Sequence, residues 1–281
     1  MNSNKSVKSV KSIKSMKLYQ HVERVERELR ARGLNDDVLD VADLEALDQL
    51  HYHGRLAVLE AIKILGLNSE SSVIDVGSGL GGPARILASE AGCHVTAVEL
   101  QDDLDQLASS LTKRCRLNDR VAHCHADFMS YEFPDAAYDA LVSWLTFLHI
   151  PDRERLLERC VQSLRPGGQI FVEDFFARRS LEPDESELLA QEVFCQRLDS
   201  LPSYREQIED AGFGQLECHD MTESWTRFVH DRLDAFRNDR IRFTELHGEA
   251  AYQGLDTFYT AMNRLFSSGA LGGLRWTAQR L

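Results

Sequence analysis

The sequence has no apolar run approaching the roughly 18 residues needed to cross a bilayer. Its start does not read as a secretory signal either, because lysine interrupts the first apolar residues at every third position. The six cysteines (Cys93, Cys115, Cys124, Cys160, Cys195, Cys218) form no C-x-x-C pair. That argues against a disulfide framework and a zinc site, and fits a reducing compartment. Basic residues are the minority: 32 lysines and arginines stand against 45 aspartates and glutamates, a net charge of −13. Such a surface repels polyanions, and no basic stripe interleaved with aromatics occurs in the body, so nucleic acid is not an expected partner. These absences lead us to expect a cytoplasmic chain without stable membrane insertion. They leave the oligomeric state open.

What is present begins with a Lys-Ser-aliphatic repeat. Residues 1–17 hold five lysines and no acid, and by composition are expected to be a disordered, self-repelling basic tail. Apolar residues at Leu18, Val22, Val25 and Leu29 keep helical spacing up to a stop at Gly33. Two further helical pieces, 40–50 and 55–64, flank the HYHG sequence at 51–54, so 18–64 reads as an N-terminal helical lid. From Ser71 the pattern changes to short apolar strands (SSVIDVG, HVTAVEL, RVAHCHADF, YDALVSW, GQIFVEDFF) separated by helices of 10–15 residues. Alternation of that kind means βαβ units and a mostly parallel, doubly wound sheet. A sixth strand at QLECHDM, a helical stretch of about 50 residues and a last strand at LRWTAQRL complete the chain. The expected division is therefore a core of 65–220 plus 271–281 with a helical cap, 221–270, inserted before the last strand.

The segment VIDVGSGLGG carries the functional inference. Gly77, Gly79 and Gly81 let the backbone turn sharply and approach a ligand, and the following helix aims its N-terminal N–H groups at the same place. Alone the loop also fits a dinucleotide fingerprint. Asp75, two residues ahead of the first glycine, separates the readings: its carboxylate repels a pyrophosphate and attracts an ammonium group. Glu99 ends the second strand, where a carboxylate can accept both hydroxyls of a ribose. Asp127 ends the third and can accept from an exocyclic adenine amine, with Leu100 and Phe128 offering apolar faces to the ring.

Here the chain resembles the class I S-adenosylmethionine-dependent methyltransferases. The likeness runs from Val73 to Phe176 through VIDVGSGLGG, the acid of AVEL, ADF, YDALVSW and the LRPGG turn. Within them, DQLHYHG, GSGLGGPAR, LNDRV and HIPDRERLL look most like the small-molecule group that includes sarcosine/dimethylglycine N-methyltransferases. The resemblance implies a Rossmann-like seven-stranded sheet in the order 3-2-1-4-5-7-6 with the last strand antiparallel. It also implies S-adenosylmethionine as cofactor and a small-molecule methyl acceptor, expected to be an amine nitrogen.

Several residues are weighed in that frame. Ser143 and Trp144 end the fourth strand beside the expected sulfonium, which the Trp144 ring face can shield. His149 lies near the sheet's mouth and is the candidate base and substrate contact. Gln49, His51 and Tyr52 are assigned to a lid over cofactor or substrate, with Tyr19 and Tyr204 as outside candidates. Glu173 and Asp174 offer carboxylates to a cationic substrate. His123 and His125 share a strand face but lack a third ligand, so no metal is expected. No N/D-P-P-Y/F tetrapeptide and no Pro-Cys nucleophile occurs, which disfavours amide, adenine-amine and cytosine-carbon methylation. Two rival readings stand beside the amine: O- or C-methylation of a quinone or isoprenoid, kept alive by Phe228, Phe236, Phe258 and Tyr259, and a non-catalytic cofactor-binding regulator. An amine enzyme should show carboxylates or an aromatic cage under the cap; a lipophilic acceptor should meet an apolar pocket there.

Overall fold

A computed structural model describes residues 13–16, 18–34 and 38–281. Most of the expected basic tail, residues 1–12 and 17, lies outside them. The part inside is not a free tail: Ile13–Ser15 form a 3-10 turn, and Met16 is buried in an apolar cluster with Phe243 and Leu255.

The core is a seven-stranded sheet, β1 Ser72–Val76, β2 His94–Glu99, β3 Val121–His125, β4 Tyr138–Trp144, β5 Leu164–Ala177, β6 Phe213–Asp220 and β7 Leu271–Arg280. Its order is β3-β2-β1-β4-β5-β7-β6. The first five strands run parallel, and β7 is antiparallel to both β5 and β6. Strands β1 and β4 are buried almost throughout, without alternation, because helices cover both faces. One side packs Ile74, Leu141, Val172 and Trp276 against α6 (Arg153–Ser163) and α8 (Leu201–Asp210). The other packs Val73, Ala97 and Val142 against α3 (Arg55–Leu65) and α4 (Gly82–Ala91). Helix α5 (Asp102–Arg114) covers β2 and β3. The LRPGG turn is a wide bulge inside β5: Leu164 lies opposite Tyr138, and pairing resumes only at Gln169 opposite Ala140.

Helices α1 (Arg24–Ala31) and α2 (Val41–Asp48) precede this core. The helical periodicity from Leu18 overstates α1 by six residues. His21 adopts a left-handed φ of 61°, and the Arg24 side chain donates to the carbonyls of Leu18, Gln20 and His21, closing an irregular turn instead. Between β5 and α8 the sequence suggested no element. The structure has α7 (Pro183–Leu188), which carries proline in its first turn and a capping box between Glu182 and Glu185. A π-helical turn, Leu189–Val193, follows it. Before β7 come α9 (Thr222–Asn238), α10 (Arg240–His247) and α11 (Glu249–Ser267). Glu28 of α1 ties the N-terminal helices to this insertion, accepting from Arg242 and lying 3.0 Å from His247 Nε2. Among the described residues no helix is long and apolar enough to cross a membrane.

Candidate active site

At the C-terminal ends of β1, β2 and β4 a cleft encloses, with its open mouth, about 1030 Å³. Its floor is the turn after β1. Gly77 has φ of 76°, and a Cβ there would lie 2.1 Å from Thr146 Oγ1 on the β4 turn. Gly77→Ala is therefore expected to cost roughly 2–4 kcal/mol, from left-handed backbone strain plus overpacking. Chemical denaturation measures this, and the loss should shrink in a Gly77→Ala/Thr146→Gly pair.

Asp75 lines the cleft, is buried, and its Oδ2 has no partner among the described residues. Burial, with Glu99 adding to it, pushes its carboxyl up to about 8. Glu99 Oε2 accepts from Gly79 N at 2.8 Å and Oε1 from Gln101 N at 2.9 Å. Each carboxylate oxygen keeps a second lone pair, so one acceptor position per oxygen remains for a ligand. Ser78 Oγ and Trp144 Nε1 are likewise buried, partnerless and at the cleft. Asp127, Phe128 and Leu100 form its far wall; Asp127 Oδ1 accepts from Met129 N.

His51 and His149 close the near side. The His51 ring lies 5.5 Å from Trp144, and burial drives its imidazole down to about 3. Its Nε2 lies 2.8 Å from Gln49 Oε1, and Gln49 Nε2 donates to Asp48 Oδ1. Asp48 in turn pairs with the fully buried Arg85 at 2.7 Å. This relay clips the segment before α3 onto the glycine turn, and Gly82 makes the approach feasible: a Cβ there would sit 2.3 Å from Gln49 Nε2. His149 is driven by burial down to about 4, so its ring is neutral at physiological pH. Its Nδ1 faces the carbonyl of Phe194 at 3.4 Å, which makes Nδ1 the donor and leaves Nε2 as acceptor. Phe194, with φ of 56°, ends the π-helical turn that the sequence did not reveal. Tyr19 meets the His149 ring edge-on, centroids 6.3 Å apart.

Residues 74–172 match a family model described as a methyltransferase domain. This part of the chain is a methyltransferase domain. Among curated proteins, the chain is 26% identical over 213 residues to a sarcosine/dimethylglycine N-methyltransferase of Halorhodospira halochloris, covering 75% of this chain and 74% of that one. It is 25% identical over 219 residues to a phosphoethanolamine N-methyltransferase of Triticum aestivum, covering 77% of this chain but only 42% of the wheat protein. In structure it resembles Haemonchus contortus phosphoethanolamine N-methyltransferase 2, with a TM-score of 0.76 at 22% identity over 91% of this chain and 60% of that one.

The methyltransferase cleft fits S-adenosylmethionine on its own chemistry. A partnerless buried carboxylate suits an ammonium group, and partnerless hydroxyl and indole donors suit a carboxylate; such atoms are costly unless a ligand completes them.

Not every sequence candidate reaches the methyltransferase cleft. Gly81 turns its Cα toward Arg85 and His123, so it serves packing. Ser143 is fully buried and donates to Val76 O at 2.8 Å, locking β4 to β1. Gln49 acts through His51. Tyr52 faces the insertion, against Trp225, Phe175 and Phe228. Glu173 and Asp174 are buried and already paired, with Arg275 at 2.7 Å and Arg153 at 3.4 Å, and Tyr204 donates to Asp174. They cannot serve as free anions for a substrate. His123 is bonded to Thr112, and no metal-holding group of three ligands occurs among the described residues.

A second cavity, about 1220 Å³ with its open mouth, adjoins the methyltransferase cleft, sharing Tyr19, Leu50, Leu80 and Leu104 as wall. It lies between α1 and the insertion. Phe236 and Tyr259 line it, whereas Phe228 and Phe258 pack elsewhere. The carboxylates asked of an amine site are here but engaged: Glu28 with Arg242 and His247, Asp239 with Arg242.

Proposed function

We propose that this chain transfers the methyl group of S-adenosylmethionine to the nitrogen of a small amine. Bound S-adenosylmethionine supplies a methyl already activated on a sulfonium, so the protein has no leaving group to create. In this reading Asp75 holds the ammonium of the methionine moiety, Glu99 the ribose hydroxyls and Asp127 the adenine amine. Leu100 and Phe128 sandwich the base, and Trp144 shields the cationic centre. The remaining task is to hold a nucleophile in line and keep water out.

The free carboxylates expected of an amine site under the cap are not found among the described cavity residues; what supports the amine reading is instead how the other ionisable groups would treat a buried amine. Apart from the acids given to the cofactor, the carboxylates lining the two cavities (Asp48, Glu28 and Asp239) are each paired with arginine. Nothing there holds an amine in its ammonium form, so burial favours the neutral form with its lone pair free. His149, neutral and with Nε2 as acceptor, is placed to take a hydrogen bond from the amine N–H and orient it. The N-methyltransferase names of these two curated relatives point the same way. Arginines in the second cavity weigh against an uncharged quinone or isoprenoid acceptor.

His149→Ala is expected to lower kcat/KM by about a hundredfold or more while leaving S-adenosylhomocysteine affinity within a few fold. Because the His149 pKa is depressed to about 4, its acceptor role should persist from neutrality downward and fail only as pH falls through that value. A step in kcat near pH 6.5 at saturating cofactor would contradict this. The reading itself is tested by incubating the protein with methyl-labelled S-adenosylmethionine and a metabolite extract, then identifying the labelled product. Label on carbon or oxygen would overturn it.

A further inference from the structure

The second cavity inverts the charge of the molecule that contains it. In a chain of net charge −13, its wall carries four arginines (Arg24, Arg32, Arg232, Arg242) against two carboxylates, Glu28 and Asp239. Arg242 answers both carboxylates and Arg32 lies 3.9 Å from Glu28. Arg24 and Arg232 are left over. Neither makes an ion pair among the described residues. Arg24 donates only to main-chain carbonyls of the turn before α1. Arg232 donates to the carbonyl of His51 at 3.0 Å and stacks over Phe228 and Tyr259, 4.6 and 5.9 Å from the ring centroids. The two side chains come from opposite ends of the sequence and both approach Tyr259. Burial draws the Arg24 guanidinium downward, with Tyr259 and Glu23 opposing.

A guanidinium kept half-buried without an anion forgoes the charge-assisted bonds its fork is shaped to make. Two of them in one chamber, beside a phenol, describe a seat for an oxyanion. We infer that the methyl acceptor carries an anionic group, carboxylate or phosphate, which Arg24 and Arg232 bind in the second cavity while its amine reaches the methyl-transfer cleft. This rests on the amine reading and deepens it. Tyr19, which lines both cavities, stands where a short acceptor would pass from one to the other. The arrangement also explains why the insertion offers arginine where a simple cationic amine calls for free carboxylates.

The test measures anion binding apart from turnover. Full-length protein saturated with S-adenosylhomocysteine is titrated calorimetrically with inorganic phosphate and, separately, with acetate. Saturable binding of one or both is expected, the stronger identifying the source, and Arg24→Gln should weaken it by about tenfold or more with Arg24→Lys recovering part. S-adenosylhomocysteine affinity, read in the same variants, should stay unchanged. Should Arg24→Gln disturb α1, Arg232→Gln probes the same seat from α9. No saturable binding of either anion, or binding indifferent to both arginine substitutions, overturns the inference. In a parallel arm, sarcosine and phosphoethanolamine are compared with 2-(methylamino)ethanol and ethanolamine. An amine methylated equally well without its anion counts against the seat. Anion binding that survives while the labelled product is an ether or a C-methyl compound sinks the amine reading instead.

Discussion

Asp75→Asn is expected to weaken binding of S-adenosylmethionine and S-adenosylhomocysteine by a hundredfold or more, with the melting temperature of the free protein unchanged or raised above pH 8. The two halves of this expectation have one cause. In the free protein Asp75 is a buried carboxyl whose Oδ2 has no partner, so a neutral isostere costs nothing and removes the burden of ionisation. In the proposed reading the ammonium that Asp75 faces in the complex is also buried, and deleting one member of such a pair costs about 3–5 kcal/mol. The pH dependence follows with a definite sign. The folded pKa is raised to about 8 from the ordinary carboxylate range. Between about pH 4 and 8 the folded chain therefore holds a proton that the unfolded chain has lost, and stability through this group falls as pH rises across that window. If Asp75 binds the ammonium as proposed, binding requires its carboxylate form, so below pH 8 it should release a proton, and affinity should climb with pH between 6 and 8. Calorimetry in buffers of different ionisation enthalpy reads the proton directly. A pH-independent affinity in the wild type would place the ammonium elsewhere.

Asp75 and Glu99 could be placed at the cleft from the sequence because their position is local: a carboxylate at the last residues of a strand lands at the sheet's mouth wherever the rest of the chain goes. The same logic brought Asp127, Phe128, Leu100, Trp144 and His149 to the cleft. It failed at Ser143 because neighbouring strand residues point to opposite faces, so a serine beside a cleft-lining tryptophan belongs to the opposite layer. It failed at Tyr52 for a different reason. Whether that ring faces cofactor or protein depends on Trp225 and Phe228, which reach it only through the insertion's packing. Glu173 and Asp174 looked free because their neutralisers, Arg275 and Arg153, are separated from them by other elements. The π-helical turn that steers His149 left no periodic signal at all. Charges paired across the fold are invisible in one dimension, and so are charges left unpaired, which is why Arg24 and Arg232 attracted no notice.

Arg85 is the strongest instance, a fully buried arginine in the GGPAR sequence to which no role was attached. Its guanidinium donates to Asp48, to the carbonyls of Leu80 and Ala108, and to Thr112 Oγ1, so one side chain joins the glycine turn, α5 and the end of α2. Arg85→Met should cost about 3–5 kcal/mol of unfolding free energy, since it strands a buried carboxylate and an unsatisfied carbonyl. Adding Asp48→Leu should recover much of that loss, because replacing both members of a buried pair by apolar groups is often close to neutral. Recovery of function should not follow. Asp48 Oδ1 anchors Gln49, and Gln49 holds His51 against Trp144, so the double variant should regain its urea midpoint while its S-adenosylhomocysteine affinity stays depressed. The two readouts separate a stabilising role from a positioning one. Additive stability losses in the double variant would show that the pair is not coupled, and restored affinity alongside restored stability would mean that the relay through Gln49 does not shape the cleft.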